Sequence, residues 1–313
     1  MKTDQTLNHF THIDHCSTEQ LQALVGLTLR IAAHPTDFYG RLRDLVLVNL
    51  FYEPSTRTRV SFEIAAKRLG MHVVNIASAG SSVEKGETVL DTFDTLQAMK
   101  PDFVVVRHPV EGTADVLAVR AEIGTHVINA GDGTGAHPTQ ALLDAVTLIQ
   151  HFGDLSGITV LLAGDIRHSR VAHSSLTLLQ RLGVGEIRLA GPVDFMPGAE
   201  TLANVMVFDD LDTAMENVDA VMMLRIQKER ITGLNIPAAE DYHHEWGLTP
   251  DRLARAATGC QVLHPGPLNR GVEIASEVAD GPNSLIRRQV RNGLHTRMAL
   301  LLALAAPQTG TSP

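Results

Sequence analysis

Apolar positions along this chain fall into two alternating rhythms. Ser17-x-x-Gln20 reads as a capping box, and behind it Leu21, Leu24, Val25, Thr28 and Leu29 recur on one face at helical spacing. Leu45 to Phe51 is a short apolar run of strand length, Thr58 to Leu69 reads as a helix closed by Gly70 at C′, and His72 to Ala77 reads as a second strand. A helix from Glu87 carries Val89, Leu90, Phe93 and Leu96, and Asp102 to Val106 and His126 to Ala130 complete the strands of this half. Apolar strands alternating with helices imply a parallel sheet covered on both faces.

The alternation then restarts. A helix opening at Pro138, with proline at the first helical position, carries Leu142, Leu143, Val146 and Ile149 and ends near Gly153. Beyond it, strands are predicted at Ile158 to Ala163, Glu186 to Ala190, Val205 to Phe208, Asp219 to Met223 and Gln261 to Leu263. The expected class is α/β, with two doubly wound parallel-sheet domains joined by helices. The boundaries fall at residues 1–149 and 150–283, and a long apolar helix over about 284–306 is expected to pack back on the first domain. The loops around Gly80 and Pro237 are the segments expected to move.

Composition narrows the partners. A chain of 313 residues with 44% hydrophobic and 19% charged residues fits two cores of ordinary density. The longest apolar run, from Met298 to Pro307, is far short of the ~18 residues of a membrane span. Met1 to Phe10 has no apolar stretch of the kind a secretory signal carries, and two cysteines, Cys16 and Cys260, suggest no disulfide framework. A cytoplasmic protein is expected. The net charge of −9 argues against nucleic acid or an anionic membrane as a partner, so any bound anion must be held by local charge.

One segment supplies such charge. Glu53-Pro-Ser-Thr-Arg-Thr-Arg59 lies between a strand end and a helix start, where the hydroxyls of Ser55, Thr56 and Thr58, several backbone N–H groups, the Arg57 guanidinium and the helix dipole converge. That combination is a phosphate cradle; the plainer reading is a helix cap followed by solvated arginines. Two other patterns carry less. Gly131, Gly133 and Ala136 fit a dinucleotide fingerprint but follow several earlier strands, whereas the fingerprint belongs to the first. His9, His12 and His15 beside Cys16 lack the convergence of a metal site, and these and His243 and His244 are expected to be solvated.

Phe51-Tyr-Glu-Pro-Ser-Thr-Arg-Thr-Arg59 resembles the signature of the aspartate and ornithine carbamoyltransferases. Lys85-Gly-Glu-Thr88, Arg107-His-Pro109, Asn129-Ala-Gly-Asp-Gly133, His137-Pro-Thr-Gln140, Gly164-Asp165 with Arg170, Arg225-x-Gln-Lys-Glu-Arg230 and His264-Pro-Gly-Pro267 match the aspartate branch in the same order. The resemblance spans roughly residues 45 to 300.

The resemblance implies transfer of a carbamoyl group from carbamoyl phosphate to the α-amine of L-aspartate, in pyrimidine biosynthesis, with neither metal nor organic cofactor. Two anions then share one site, and at ~5.5 Å and an effective dielectric near ~20 each pair of unit charges repels by about 3 kcal/mol. By similarity, Ser55, Thr56, Arg57 and Thr58 hold the phosphate, Arg107 bridges phosphate and carbonyl oxygen, and His137 with Thr58 completes the oxyanion site. Gln140 binds the carbamoyl NH₂, and carbonyls around Pro265, Gly266 and Pro267 accept from the carbamoyl nitrogen and the attacking amine. Arg170, Arg225 and Gln227 hold the aspartate carboxylates. Ser81 and Lys85 reach a neighbouring subunit's site, which implies a catalytic homotrimer, with regulatory or dihydroorotase-like partner chains left open. The family's usual motif has Leu where this chain has Gly266. The ornithine branch carries His-Cys-Leu-Pro and Ser-Met-Gly segments that this sequence lacks, and a non-catalytic scaffold would be expected to lose members of the set Arg57, Lys85, Arg107 and His137, all present.

Overall fold

The computed structural model describes residues 7–77, 86–198, 203–227 and 238–306. Its helices are α1 (Thr18–Ala33), α2 (Thr56–Arg68), α3 (Val89–Gln97), α4 (Thr113–Arg120), α5 (Pro138–Phe152), α6 (Arg170–Arg181), α7 (Leu211–Ala214), α8 (Ala239–Trp246), α9 (Pro250–Leu253), α10 (Ser276–Ala279) and α11 (Ile286–Leu304). Its strands are β1 (Val46–Phe51), β2 (His72–Ala77), β3 (Phe103–His108), β4 (His126–Asp132), β5 (Thr159–Ala163), β6 (Glu186–Ala190), β7 (Met206–Phe208), β8 (Ala220–Met223) and β9 (Gln261–Leu263).

Among the described residues the strands form two sheets, β2-β1-β3-β4 and β7-β6-β5-β8-β9, and all pairings between them are parallel. The chain divides into two compact units, one of Met1–Leu143 with Asn292–Pro313 and one of Asp144–Arg291. Both boundaries fall inside helices, α5 and α11.

The continuous apolar strands of the second unit have a direct cause. Val160, Leu162, Ile187, Leu189, Ala220, Met222 and Leu263 belong to one buried cluster. Their alternating neighbours Leu161, Ala163, Ala190, Val221, Met223 and Val262 belong to another. A strand buried on both faces has no polar side to alternate with. In the first unit Val48, Leu50, Val104, Val106 and Val127 pack with Phe93, Leu96 and Leu117. The last helix contributes there too: the Arg297 guanidinium lies 4.9 Å from the centre of the Phe62 ring, and Met298, Leu300, Leu301 and Leu304 are buried.

The edge of β4 is covered by the chain's own N-terminal segment. Phe10, fully buried, donates its N–H to the Val127 carbonyl at 2.9 Å and accepts from Asn129 N–H at 2.9 Å. His9 Nδ1 accepts from Val127 N–H at 3.1 Å, and His126 Nδ1 donates to the Asn8 carbonyl at 2.7 Å. His9 is therefore a structural pin and not a solvated side chain, because the sheet edge offers a donor that water would otherwise satisfy. His243 likewise donates through Nδ1 to the Val272 carbonyl at 2.9 Å. The capping box forms with both arms: Ser17 Oγ accepts from Gln20 N–H, and Gln20 Oε1 from Ser17 N–H. The predicted mobile loops at Gly80 and Pro237 lie outside the described residues.

Candidate active site

An open parallel sheet opens a crevice at the carboxyl ends of the two strands between which the strand order reverses. In the first unit that point lies between β1 and β3, with Phe51 and Arg107 as register partners. The segment leaving β1 is the Ser-Thr-Arg-Thr loop, Arg107 is the penultimate residue of β3, and His137 precedes α5 just beyond β4. Topology thus gathers three separate motifs at one sheet edge.

Ser55 occupies the N-cap position of α2, yet its side chain makes no capping bond, and the first turn holds no acidic residue. By contrast Ser17, Thr88, Ser169, Asp210 and Thr249 each close their helix with a side-chain oxygen. The first-turn N–H groups of α2 are thus not taken by their own cap, which is the condition for an anion to use them. Thr56 and Arg57 are exposed and Thr58 is buried.

Arg107 is held on two sides. Its Nε lies 3.2 Å from Glu53 Oε2, and its Nη1 donates to the Ala130 carbonyl at 3.1 Å. The charge is thereby oriented before any ligand arrives. His137 and Gln140 are buried in the opening turn of α5, where the His137 carbonyl accepts from Gln140 N–H at 3.0 Å. The turn before them is braced by residues to which the sequence reading assigned no role. Asn129 Oδ1 accepts from Gly131 N–H at 2.7 Å, while Asp132 accepts from Ala136 N–H at 3.0 Å and from Gly112 N–H at 2.9 Å. Their only sequence signal is membership of the Asn-Ala-Gly-Asp-Gly stretch.

In the second unit the order reverses between β5 and β8, whose ends pair Ala163 with Met223. Leu224 N–H donates to the Ala163 carbonyl at 2.7 Å. At Gly164 a β-carbon would stand 2.3 Å from the Leu224 carbonyl oxygen, at φ +124°, so only glycine lets the two loops meet. Asp165, fully buried, then ties them: it accepts from His168 Nδ1 at 2.8 Å and N–H at 3.2 Å, and from Gln227 N–H at 3.3 Å. Arg170 is the first residue of α6, 3% exposed, and Arg225 and Gln227 flank the buried Ile226.

The loop after β9 completes this edge. His264 N–H donates to Gln289 Oε1 at 2.9 Å, and Gly266 N–H donates to His264 Nδ1 at 2.8 Å. Gly266 has φ +68°, the left-handed region, which accounts for glycine where the family's usual motif has leucine. Pro265 and Gly266 are half-buried and Pro267 is exposed. Burial, with the Glu273 and Asp165 carboxylates nearby, pushes the Tyr242 phenol well above its ordinary range. Burial also pushes the Cys260 thiol up to about 12, which keeps it an inert core residue.

The structure thus groups Ser55, Thr56, Arg57, Thr58, Arg107, His137 and Gln140 at the edge of one sheet, and Arg170, Arg225, Gln227, Pro265, Gly266 and Pro267 at the edge of the other. Ser81 and Lys85 lie outside the described residues. The described residues contain no His, Cys, Asp and Glu cluster of metal-binding form, and no described helix is long and apolar enough to cross a membrane.

Comparison with known proteins agrees with this division. Residues 8–150 match the family model described as aspartate/ornithine carbamoyltransferase, carbamoyl-P binding domain, and residues 156–304 match the Asp/Orn binding domain of the same family. The chain is 50% identical over 300 residues to the aspartate carbamoyltransferase catalytic subunit of Gluconobacter oxydans, covering 94% of each chain. Its fold superposes on the aspartate transcarbamoylase of Trypanosoma cruzi in complex with carbamoyl phosphate and aspartate, with a TM-score of 0.86 at 31% identity, over 96% of this chain and 98% of that one. The ornithine carbamoyltransferase of Thermus thermophilus follows at 0.83 and 28%, over 96% and 98%. With both domain models matched over nearly its whole length and a relative at half identity, the chain belongs to the aspartate/ornithine carbamoyltransferase family.

Proposed function

We propose that this chain transfers the carbamoyl group of carbamoyl phosphate to the α-amine of L-aspartate, giving N-carbamoyl-L-aspartate and phosphate. The observation that carries this reading is the α2 N-terminus, left uncapped by Ser55 and set beside the oriented Arg107. Backbone N–H groups, three hydroxyls and the Arg57 guanidinium hold the phosphate dianion there.

The neutral amine attacks the carbonyl carbon, a C–N bond forms, and negative charge gathers on the carbonyl oxygen. Thr58, Arg107 and His137 stabilise that oxygen, Gln140 orients the carbamoyl NH₂, and carbonyls of the Pro265 to Pro267 loop accept from the two nitrogens. As the C–O bond to phosphate breaks, Arg57 offsets the charge left on phosphate, and the amine's surplus proton passes to it.

Aspartate is favoured over ornithine by Arg170, Arg225 and Gln227. Arginine matches a carboxylate bidentately and repels an ammonium group. The curated relative's name points the same way. Purified protein is expected to release phosphate from carbamoyl phosphate with L-aspartate and not with L-ornithine; the reverse preference would overturn the assignment.

The active form in this reading is a cytoplasmic homotrimer in which Ser81 and Lys85 serve a neighbouring subunit's site. The cysteines, both free and buried, suit a reducing compartment. Mixing inactive Arg57→Ala and Lys85→Ala chains is expected to restore part of the activity. No recovery after demonstrated subunit exchange would count against the shared site.

A further inference from the structure

We propose that Glu273 is a positioning residue for the transfer: through His264 it aims the Pro265 carbonyl at the reacting nitrogens. The inference rests on the carbamoyl-transfer reading above.

Glu273 and His264 are both completely buried at the side chain. Because Gly266 N–H donates to His264 Nδ1, that nitrogen is unprotonated, and the ring proton resides on Nε2. Nε2–H then donates to Glu273 Oε1 at 3.0 Å. The same carboxylate oxygen accepts Asn269 N–H at 2.6 Å. One carboxylate therefore holds both ends of the segment from His264 to Asn269.

The consequence for the loop follows from peptide geometry. Gly266 N–H and the Pro265 carbonyl belong to one planar unit, and this peptide bond is trans, so the two groups point in opposite directions. With the N–H drawn onto the buried imidazole, the carbonyl faces away from it. Gln289 Oε1 anchors His264 N–H and is itself tied to Asp144 by a 2.8 Å bond from its Nε2. Pro265 is thus fixed from both sides. A carboxylate accepting Nε2–H also polarises the ring and tightens the Nδ1 bond to Gly266.

Packing alone would not select this arrangement. A carboxylate removed from water costs several kcal/mol, and apolar residues of similar volume often serve a core as well or better. Here that cost goes into the direction of one backbone carbonyl, in the loop that also carries Gly266 and Pro267.

The test compares wild type with Glu273→Gln and Glu273→Leu, using carbamoyl phosphate and L-aspartate for turnover, inorganic phosphate for binding, and nitrogen NMR for the His264 tautomer. Glutamine keeps a carbonyl oxygen for both donors, so kcat is expected to stay within about tenfold of wild type, whereas leucine lowers it about a hundredfold. Affinity for inorganic phosphate, held by the first unit, is expected to stay within about twofold in both variants. Wild-type His264 is expected to carry its proton on Nε2. The proposal is overturned by wild-type turnover in Glu273→Leu, by equal losses in both variants, by parallel loss of phosphate binding, or by an Nδ1–H tautomer. If Glu273→Leu does not fold, Glu273→Gln and the tautomer decide. An inactive wild type would instead sink the functional reading, while the tautomer still reports on the loop.

Discussion

The two sheet edges prepare for their ligands in opposite ways. At the first, the helix α2 withholds its own cap: Ser55 stands at the N-cap without closing it. At the second, α6 is closed by Ser169, whose Oγ accepts from Ala172 N–H at 3.2 Å, and the proposed contacts are Arg225, Gln227 and backbone carbonyls on loops tied by the buried carboxylates Asp165 and Glu273. A phosphate suits the first edge, because many short donors converge on a compact polyanion. Two separated carboxylates suit the second, because long guanidinium side chains reach them only if their bases are fixed.

Four measurements bear on that contrast. Arg107→Ala removes a charge oriented by Glu53 and the Ala130 carbonyl, and kcat for phosphate release is expected to fall about 10²- to 10³-fold. A loss below about tenfold would mean that the first edge does not depend on preset charge. Arg225→Ala is expected to raise the KM for L-aspartate by about 10- to 100-fold while inorganic phosphate binds as before; matched losses of both would erase the division of labour.

A pair of serine variants sharpens it further. Ser169→Ala removes a real cap and is expected to cost about 1 kcal/mol of unfolding free energy. Ser55→Ala removes none, so it is expected to cost about 0.5 kcal/mol or less while weakening phosphate binding. Denaturant titration with phosphate absent separates the two, and equal destabilisation would show that Ser55 caps after all.

The smallest effect concerns acid. Burial, with His126 nearby, holds His9 below the ordinary imidazole range, and burial does the same for His108. The folded chain then prefers both rings neutral, and the unfolded chain takes up protons first. Their contribution is complete above about pH 6.5 and is lost as pH falls toward the depressed folded values. Hydrogen-exchange protection factors, corrected for the intrinsic slowing of exchange in acid, are expected to fall in β3 and β4 before β5 and β8 as pH drops below about 6.5. The opposite order would remove the two histidines from the account.

Most strands were legible because burial on both faces leaves an apolar run with sharp ends. Val46–Phe51, Thr159–Ala163 and Ala220–Met223, buried along nearly their whole length, each start one residue after the predicted run and end with it. Helix α4 gave no such signal: Ala114 and Leu117 face the core, but Val116 and Val119 stand 53% and 91% exposed, so apolar residues on both faces blur the buried stripe. The proposed site residues could be named because they sit in compact local motifs. The braces could not. Asp165 meets Gln227, and Glu273 meets His264, only after the chain has returned from elsewhere, and a lone buried acid has no periodicity to betray it.

The discontinuous make-up of the first unit has a consequence for synthesis. The second unit is one uninterrupted stretch, whereas the first is built from Met1–Leu143 and the segment beginning at Asn292. As the chain leaves the ribosome, Phe62 waits for Arg297 while roughly 235 further residues are made, about 10 to 50 seconds at ~5–20 residues per second. During that interval the nascent first unit lacks the buried surface of Met298 to Leu304, and this is the stage at which chaperones have an apolar face to hold.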